Sequence, residues 1–445
     1  MKYKKVFTSA RYHTSAPNTF EIDTKSKSLR VGSRDDSSQS VFLGKVIEQG
    51  KASNILDYGI YCDVGFPHVV GIFGSRGSGK SFDLGVFLEG IFDEEVATTD
   101  AAIVFDVQDQ FWTLGYIPDE AISSDREQIA SLEDWGILPR QLKGIKVWVP
   151  AGSDTQVPNA SEFTLEPSQL SISDWLAVLR LDRYSPMGQA LISLLHMLGS
   201  RTPSELAMSC NDVVLGSFQQ GTIDGLRWRL ESFSATNVLG KVGLSIDELI
   251  RPGSLNVLLM RNLSDTVRSL IVGVVARLVA DRLGRIQQAR RVALRTRSTS
   301  AADYKDITGR LWMVLDEAHV LVPSDELTAA TEPLIDYVKR GRDAGLSLIF
   351  ATQQPSAVDK KLMSQADITI THMLGIEADI SAAIARMPTR STVEYEIDNH
   401  KVSGIGDIIR SLGPGEAILA DGASDRIVVA KVRPRQSAHG GTTPK

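Results

Sequence analysis

Gly74-Ser75-Arg76-Gly77-Ser78-Gly79-Lys80-Ser81 decides how this chain is read. It fits G-x-x-x-x-G-K-[ST], a loop whose backbone N–H groups cradle phosphates. Val69-Val70-Gly71-Ile72-Phe73 precedes it as an apolar run short enough for a buried strand. Leu84, Val86, Phe87, Leu88, Ile91 and Phe92 follow at helical spacing. Strand, glycine loop and helix is the context that separates a working loop of this kind from a chance match.

Further strands surround this unit. Ala101-Ala102-Ile103-Val104-Phe105-Asp106 is an apolar run ending in an acid, and Lys146-Val147-Trp148-Val149-Pro150 reads as the next strand. Strand character resumes at Leu255-Asn256-Val257-Leu258-Leu259-Met260, then at Leu311-Trp312-Met313-Val314-Leu315, then at Leu346-Ser347-Leu348-Ile349-Phe350-Ala351. Strands alternating with helical stretches predict an α/β fold around a mostly parallel sheet. Residues 161–250 carry apolar residues at helical spacing (Leu191, Leu194, Leu195, Leu198) and predict a helical insertion into a core of 67–160 and 251–432. A long amphipathic helix follows Ser264 or Asp265, with Val267, Leu270, Ile271, Val274, Leu278 and Ile286 on one face. Residues 41–66 show short alternating runs split by glycines, so 1–66 is expected to form a small β-module with an extended, polar start. Residues 296–309 read as a mobile loop, and 433–445 as a polar tail.

Bulk properties narrow the function. The chain has 445 residues, 42% of them apolar and 23% charged, as in ordinary globular proteins. A net charge of −6 argues against a surface that binds nucleic acid all over, and is compatible with a basic channel inside an assembly. Cys62 and Cys210 form no disulfide framework, which suits a reducing, cytoplasmic setting. Met1-Lys2-Tyr3-Lys4-Lys5 has no apolar stretch behind it, so no signal peptide is expected, and no segment reads as membrane-spanning. Histidines stand singly, without metal spacing.

The chemistry follows from what lies at strand ends. Lys80 is placed to reach the β- and γ-phosphates of ATP, and Ser81 to ligate Mg²⁺. Phe82 closes the ATP-binding stretch. Asp316 follows a buried strand and can hold Mg²⁺ through water, while Glu317 can orient and deprotonate an attacking water. Gln353 ends the next apolar strand and can sense the γ-phosphate, because an amide donates and accepts at once. Arg340 and Arg342 close a helix. They serve either as transition-state cations for a neighbouring subunit or as basic residues suited to a helix C-terminus.

These residues together resemble the HerA–FtsK superfamily of ring-forming ATPases, and its HerA branch most. Phe105-Asp106-Val107-Gln108-Asp109-Gln110-Phe111 resembles the branch's post-strand acid motif. Leu315-Asp316-Glu317-Ala318-His319 resembles its Walker B segment. Arg340-Gly341-Arg342-Asp343-Ala344-Gly345 with Ala351-Thr352-Gln353-Gln354-Pro355-Ser356, and Val432-Arg433-Pro434-Arg435 with His439-Gly440-Gly441, resemble it further. The resemblance implies a RecA-like core, a short barrel-like N-terminal module, a homo-hexamer with ATP between subunits, and duplex DNA in a central channel. It implies Gln353 as sensor, Arg342 ahead of Arg340 as the inter-subunit arginine, and Lys360 and Lys361 facing the channel. It also implies a separate nuclease or other effector docked on the N-terminal side, in bacteria often against phage. A ring ATPase that scaffolds and licenses an effector, with little DNA movement, is the second reading. Arg76 departs from the family, which has a small residue there.

Overall fold

A computed structural model describes residues 3–15, 20–32, 39–50, 54–93, 99–211, 215–297, 306–388, 394–422 and 424–441. Most of the segment expected to be a mobile loop, 298–305, lies outside them, as does the end of the expected tail, 442–445.

The N-terminal part supplies β1 (Tyr12–Thr14), β2 (Glu21–Asp23), β3 (Ser28–Val31), β4 (Ser40–Val46), β5 (Glu48–Gly50) and β6 (Gly59–Asp63). The nucleotide-loop unit follows as β7 (Val69–Phe73) and α1 (Lys80–Ile91), then β8 (Ala101–Asp106), α2 (Ser123–Trp135), β9 (Ile145–Pro150) and β10 (Ser161–Phe163). Five helices come next: α3 (Ile172–Val178), α4 (Pro186–Leu198), α5 (Pro203–Met208), α6 (Gln220–Ser234) and α7 (Ile246–Leu249). The chain returns to the sheet with β11 (Leu255–Leu259), α8 (Asp265–Thr296), β12 (Leu311–Leu315), α9 (Ala318–Leu321), α10 (Thr331–Lys339), α11 (Gly341–Ala344) and β13 (Leu346–Thr352). It ends through α12 (Lys360–Met363), β14 (Ile368–Thr371), α13 (Glu377–Ile384), β15 (Tyr395–Ile397), β16 (His400–Val402), α14 (Ile405–Ser411), β17 (Glu416–Asp421) and β18 (Arg426–Val432).

One sheet runs through the molecule in the order β10-β9-β11-β8-β12-β13-β7-β14-β17-β18-β4-β6-β3-β2. From β10 to β14 every neighbouring pair is parallel. The central strands β8, β11, β12 and β13 are buried along their whole length, as strands covered on both faces must be. Beyond β14 the ladder turns antiparallel through β17, β18 and β4.

The N-terminal strands therefore do not stand apart as their own module. β4 pairs with β18 and carries the sheet outward to β6, β3 and β2. Its residues Val41 to Val46 are all buried, because α1 packs on it as well as its sheet neighbours. The polar start also forms strands where it is described. β1 pairs with β15 and β5 in a small second sheet. Polarity misled the reading there, since the pairing with β15 is made across nearly the whole chain.

The helical insertion begins later than expected. β10, at 161–163, adds to β9, and helices start at Ile172. Their core of Trp175, Leu191, Leu194, Leu226, Leu230 and Phe233 is continuous with Leu270, Ile271 and Val274 on α8. At 32 residues α8 is roughly 48 Å long. Its first half is apolar nearly all round and buried, while Arg295 closes an exposed end. No helix among the described residues is long and apolar enough to cross a membrane.

The expected polar tail is largely buried. Arg433, Arg435 and Ser437 are 4%, 0% and 0% exposed, lying along α1. Glu89 of α1 accepts from Arg433 Nη1 (2.8 Å), from the backbone N–H groups of Gln436 and Ser437, and from Ser437 Oγ (2.6 Å). Charge left room for burial here only because each charge meets a partner.

Candidate active site

β7, β12 and β13 are adjacent and parallel, so their carboxyl ends share one edge. Open α/β sheets present ligand sites on that edge. It carries 74–81 after β7, Asp316 and Glu317 after β12, and Gln353 after β13.

The loop's shape depends on glycine. Gly77 and Gly79 have φ of +77° and +120°, conformations that side chains disfavour. The loop is tied to its neighbours, with Gly74 N–H donating to Thr352 O and Ser75 N–H to Met373 O (2.9 Å). Lys80 is buried, and its ammonium donates to Ser75 O at 3.0 Å. Burial lowers its pKa, against the pull of Glu317, Asp316 and Asp83. Ser81 lies in the first turn of α1 and is half-buried, as is Phe82. Ser78 is buried with an unpartnered hydroxyl. Arg76 is exposed at the crest of the loop, so its guanidinium is not folded in among the loop's N–H groups.

Asp316 is fully buried and Glu317 is 6% exposed. Burial, together with Glu317 and Asp106, pushes Asp316 up to about 8, and Lys80 opposes the rise. Asp106 is likewise pushed up to about 7 by burial, although the Phe111 and Gln108 N–H groups donate to it. Asp316 Oδ2 and Glu317 Oε2 have no hydrogen-bond partner. Crowded carboxylates with orphaned oxygens fit a divalent cation, which would supply the missing countercharge. No set of three metal-ligating side chains occurs among the described residues.

Glu317 takes a left-handed backbone (φ 53°, ψ 52°), a strained conformation of the sort found at functional positions. Its Oε1 accepts from the Gln353 amide and from Gln108 Nε2 (2.9 Å). His319 Nδ1 lies 3.5 Å from Glu317 Oε2 and 3.1 Å from Thr352 Oγ1. Under the loop, His372 lies between Asp83 Oδ2 (2.8 Å) and Glu416 O (3.0 Å), joining α1 to β17.

The structure thus brings Lys80, Asp316, Glu317 and Gln353 together. It places Arg340 and Arg342 elsewhere. Both are exposed and stand just before the amino end of β13, the far edge of the sheet from the loop. Seven residues of strand separate the two edges, roughly 20 Å. Arg340 pairs with Asp281 at 2.7 Å, which favours its helix-end reading, while Arg342 is exposed on α11. Lys360 and Lys361 are exposed on α12, whose N-cap Asp359 accepts the Lys361 and Leu362 N–H groups. Gln108 and His372 escaped the sequence reading as site residues. Gln108 was findable as a polar side chain just past the carboxyl end of β8, but His372 is recognisable only once β14 lies beside β7.

A family model described as "Helicase HerA, central domain" matches residues 41–279. A probable DNA double-strand break repair helicase HerA from Methanocaldococcus jannaschii is 24% identical over 155 residues, 35% of this chain. The match spans only 29% of that relative's length. Among solved structures, VirB4 of Thermoanaerobacter pseudethanolicus superposes with a TM-score of 0.53 at 16% identity, covering 89% of this chain and 97% of that one. The unbound bacterial conjugative coupling protein TrwB, lacking its first 70 residues, gives 0.53 at 13% identity over 92% of this chain and 91% of that one. TrwB in complex with ADP and Mg²⁺ gives 0.50 at 14% identity over 83% and 86%. These likenesses show the RecA-like P-loop fold.

Proposed function

The chain belongs to the family of the HerA helicase central domain, P-loop ATPases, and from that premise we propose that it is an ATP-hydrolysing motor that moves duplex DNA. The observation that carries the proposal is the meeting of Lys80 with Asp316, Glu317 and Gln353 on one sheet edge. The loop N–H groups and Lys80 bind the β- and γ-phosphates. Ser81 directly and Asp316 through water would hold Mg²⁺, which when bound would neutralise phosphate charge. Glu317 Oε2 takes the proton of a water whose oxygen bonds to the γ-phosphorus as the bond to the leaving ADP oxygen breaks. Gln353 holds Glu317 and stands where the γ-phosphate can be sensed. The motor is proposed to work as a homo-hexamer, with Arg342 reaching a neighbour's nucleotide and Lys360 and Lys361 meeting the DNA backbone. A separate nuclease or other effector, acting against phage, is proposed to dock on the N-terminal side.

Steady-state ATP turnover with and without duplex DNA tests this. Wild-type turnover is expected to rise with DNA, and Glu317→Gln to bind ATP while turning over about 100-fold slower or worse. Turnover in Glu317→Gln equal to wild type would remove Glu317 as the base. Turnover indifferent to DNA, and unchanged by Lys360→Glu with Lys361→Glu, would replace the motor with a ring that licenses an effector.

A further inference from the structure

We propose that Gln108 is a positioning residue for ATP hydrolysis, holding the Glu317 carboxylate so that Oε2 alone faces the water. The inference rests on Glu317 acting as the base.

Two amides converge on one oxygen. Gln108 Nε2, from the loop after β8, and Gln353 Nε2, from the end of β13, both donate to Glu317 Oε1. Oε2 is left buried with no hydrogen-bond partner. A carboxylate bracketed on one oxygen has lost its rotational freedom and offers one defined acceptor.

The direction of the Gln108 amide is itself set. Its Oε1 accepts from Gln110 Nε2 at 2.6 Å, which turns its NH₂ toward Glu317. An ionised Glu317 only accepts, so the two bonds agree on one orientation of the amide. Gln110 is fixed in turn. Thr113 Oγ1 donates to its carbonyl at 2.8 Å, and the buried tail crosses it so closely that a Cβ on Gly440 would lie 2.6 Å from that carbonyl oxygen. Gly441 approaches the side chain of the same residue, a Cβ there lying 3.1 Å from Gln110 Oε1. Hydrogen bonds therefore run from Gln110 through Gln108 to Glu317, with Gly440 and Gly441 leaving room for Gln110 at the head of the line. Glu317 also holds a strained backbone conformation, so the two amides fix a side chain whose main chain is itself set in one state.

The test measures kcat, ATP affinity by a fluorescent analogue, and thermal unfolding for Gln108→Ala and Gln108→Glu, each alone and in Glu317→Gln. The expected result is a fall in kcat of about ten- to a hundred-fold with ATP affinity within about two-fold, and no further fall in the Glu317→Gln background. Gln108→Glu keeps the size but swaps the donor for an acceptor, so it is expected to fall at least as far as Gln108→Ala, which a packing role would not require. Wild-type or raised kcat in either folded variant overturns the proposal. So does an equal further loss in Glu317→Gln. Should Gln108→Ala melt early, Gln108→Glu decides alone. Glu317→Gln at the wild-type rate instead overturns the base assignment beneath it.

Discussion

His68 shows how much one buried side chain can carry. It stands at the entrance to β7, 2% exposed, with Nδ1 2.8 Å from Asp367 and Nε2 4.0 Å from Asp63 at the end of β6. Burial would lower its pKa, but the hydrogen bond to Asp367 and the negative charges of both aspartates prevail and raise it to about 9, against an ordinary 6.5. A raised folded-state pKa means that its contribution is full below about 6.5 and is lost as pH climbs through about 9. The size is about 3 kcal/mol at most. Thermal stability is therefore expected to fall between those two pH values in wild type and to change less in His68→Gln. Equal slopes in both would show that the charge on His68 does not couple to folding. The sequence offered His68 only as a lone histidine, because its partners come from the end of β6, before it, and from Asp367 just ahead of β14, far after it. Asp316 and Glu317 were legible for the opposite reason. Their positions at the end of an apolar run are local, and the run alone says which edge they occupy.

At the scale of elements, α1 and the tail form a unit that polarity concealed. Glu89 is the one acid in the apolar second half of α1, and the tail's Arg433 and Arg435 close on it, at 2.8 Å and 3.7 Å. Gly85 makes the crossing possible, since a Cβ there would lie 2.7 Å from Arg435 Cδ. Burial lowers the Arg435 pKa to about 10 against the pull of Glu89. Glu89→Ala would leave two buried guanidiniums without their carboxylate, at a cost of about 3–5 kcal/mol. Chemical denaturation checks this, and a loss below about 1 kcal/mol would mean that water reaches the cluster. The clue in the sequence was an acid in the apolar second half of that helix. Reading the tail by its composition missed it, because burial of charge depends on a partner that composition does not reveal. The parallel strands and the first helix after the loop were readable, since their patterns are local and of one period. The small sheet of β1, β5, β15 and β16 was not, since its strands are short and partly exposed.

Across the whole molecule, the separation of Arg342 from the loop is a statement about assembly. A cation on the far edge of the sheet cannot reach its own nucleotide, so any part it takes in hydrolysis must be played on another copy. Mixing Arg342→Ala subunits, which keep their own loop, with Lys80→Ala subunits, which keep the arginine, is expected to restore part of the turnover that each lacks alone. Intact mixed rings with no recovery would assign Arg342 to the surface of a single copy. The nucleotide edge and the helices beyond it are legible in the sequence, which also suggests a boundary at residue 66; the sheet is continuous across that point. β4 hydrogen-bonds directly to β18, so the strands of the N-terminal wing and those of the nucleotide edge share one ladder. Mechanically that ladder is a beam and not a tether. A push delivered where phosphate is released would reach the wing without a slack joint to absorb it, so an effector docked there, as proposed, would be levered in step with each turnover.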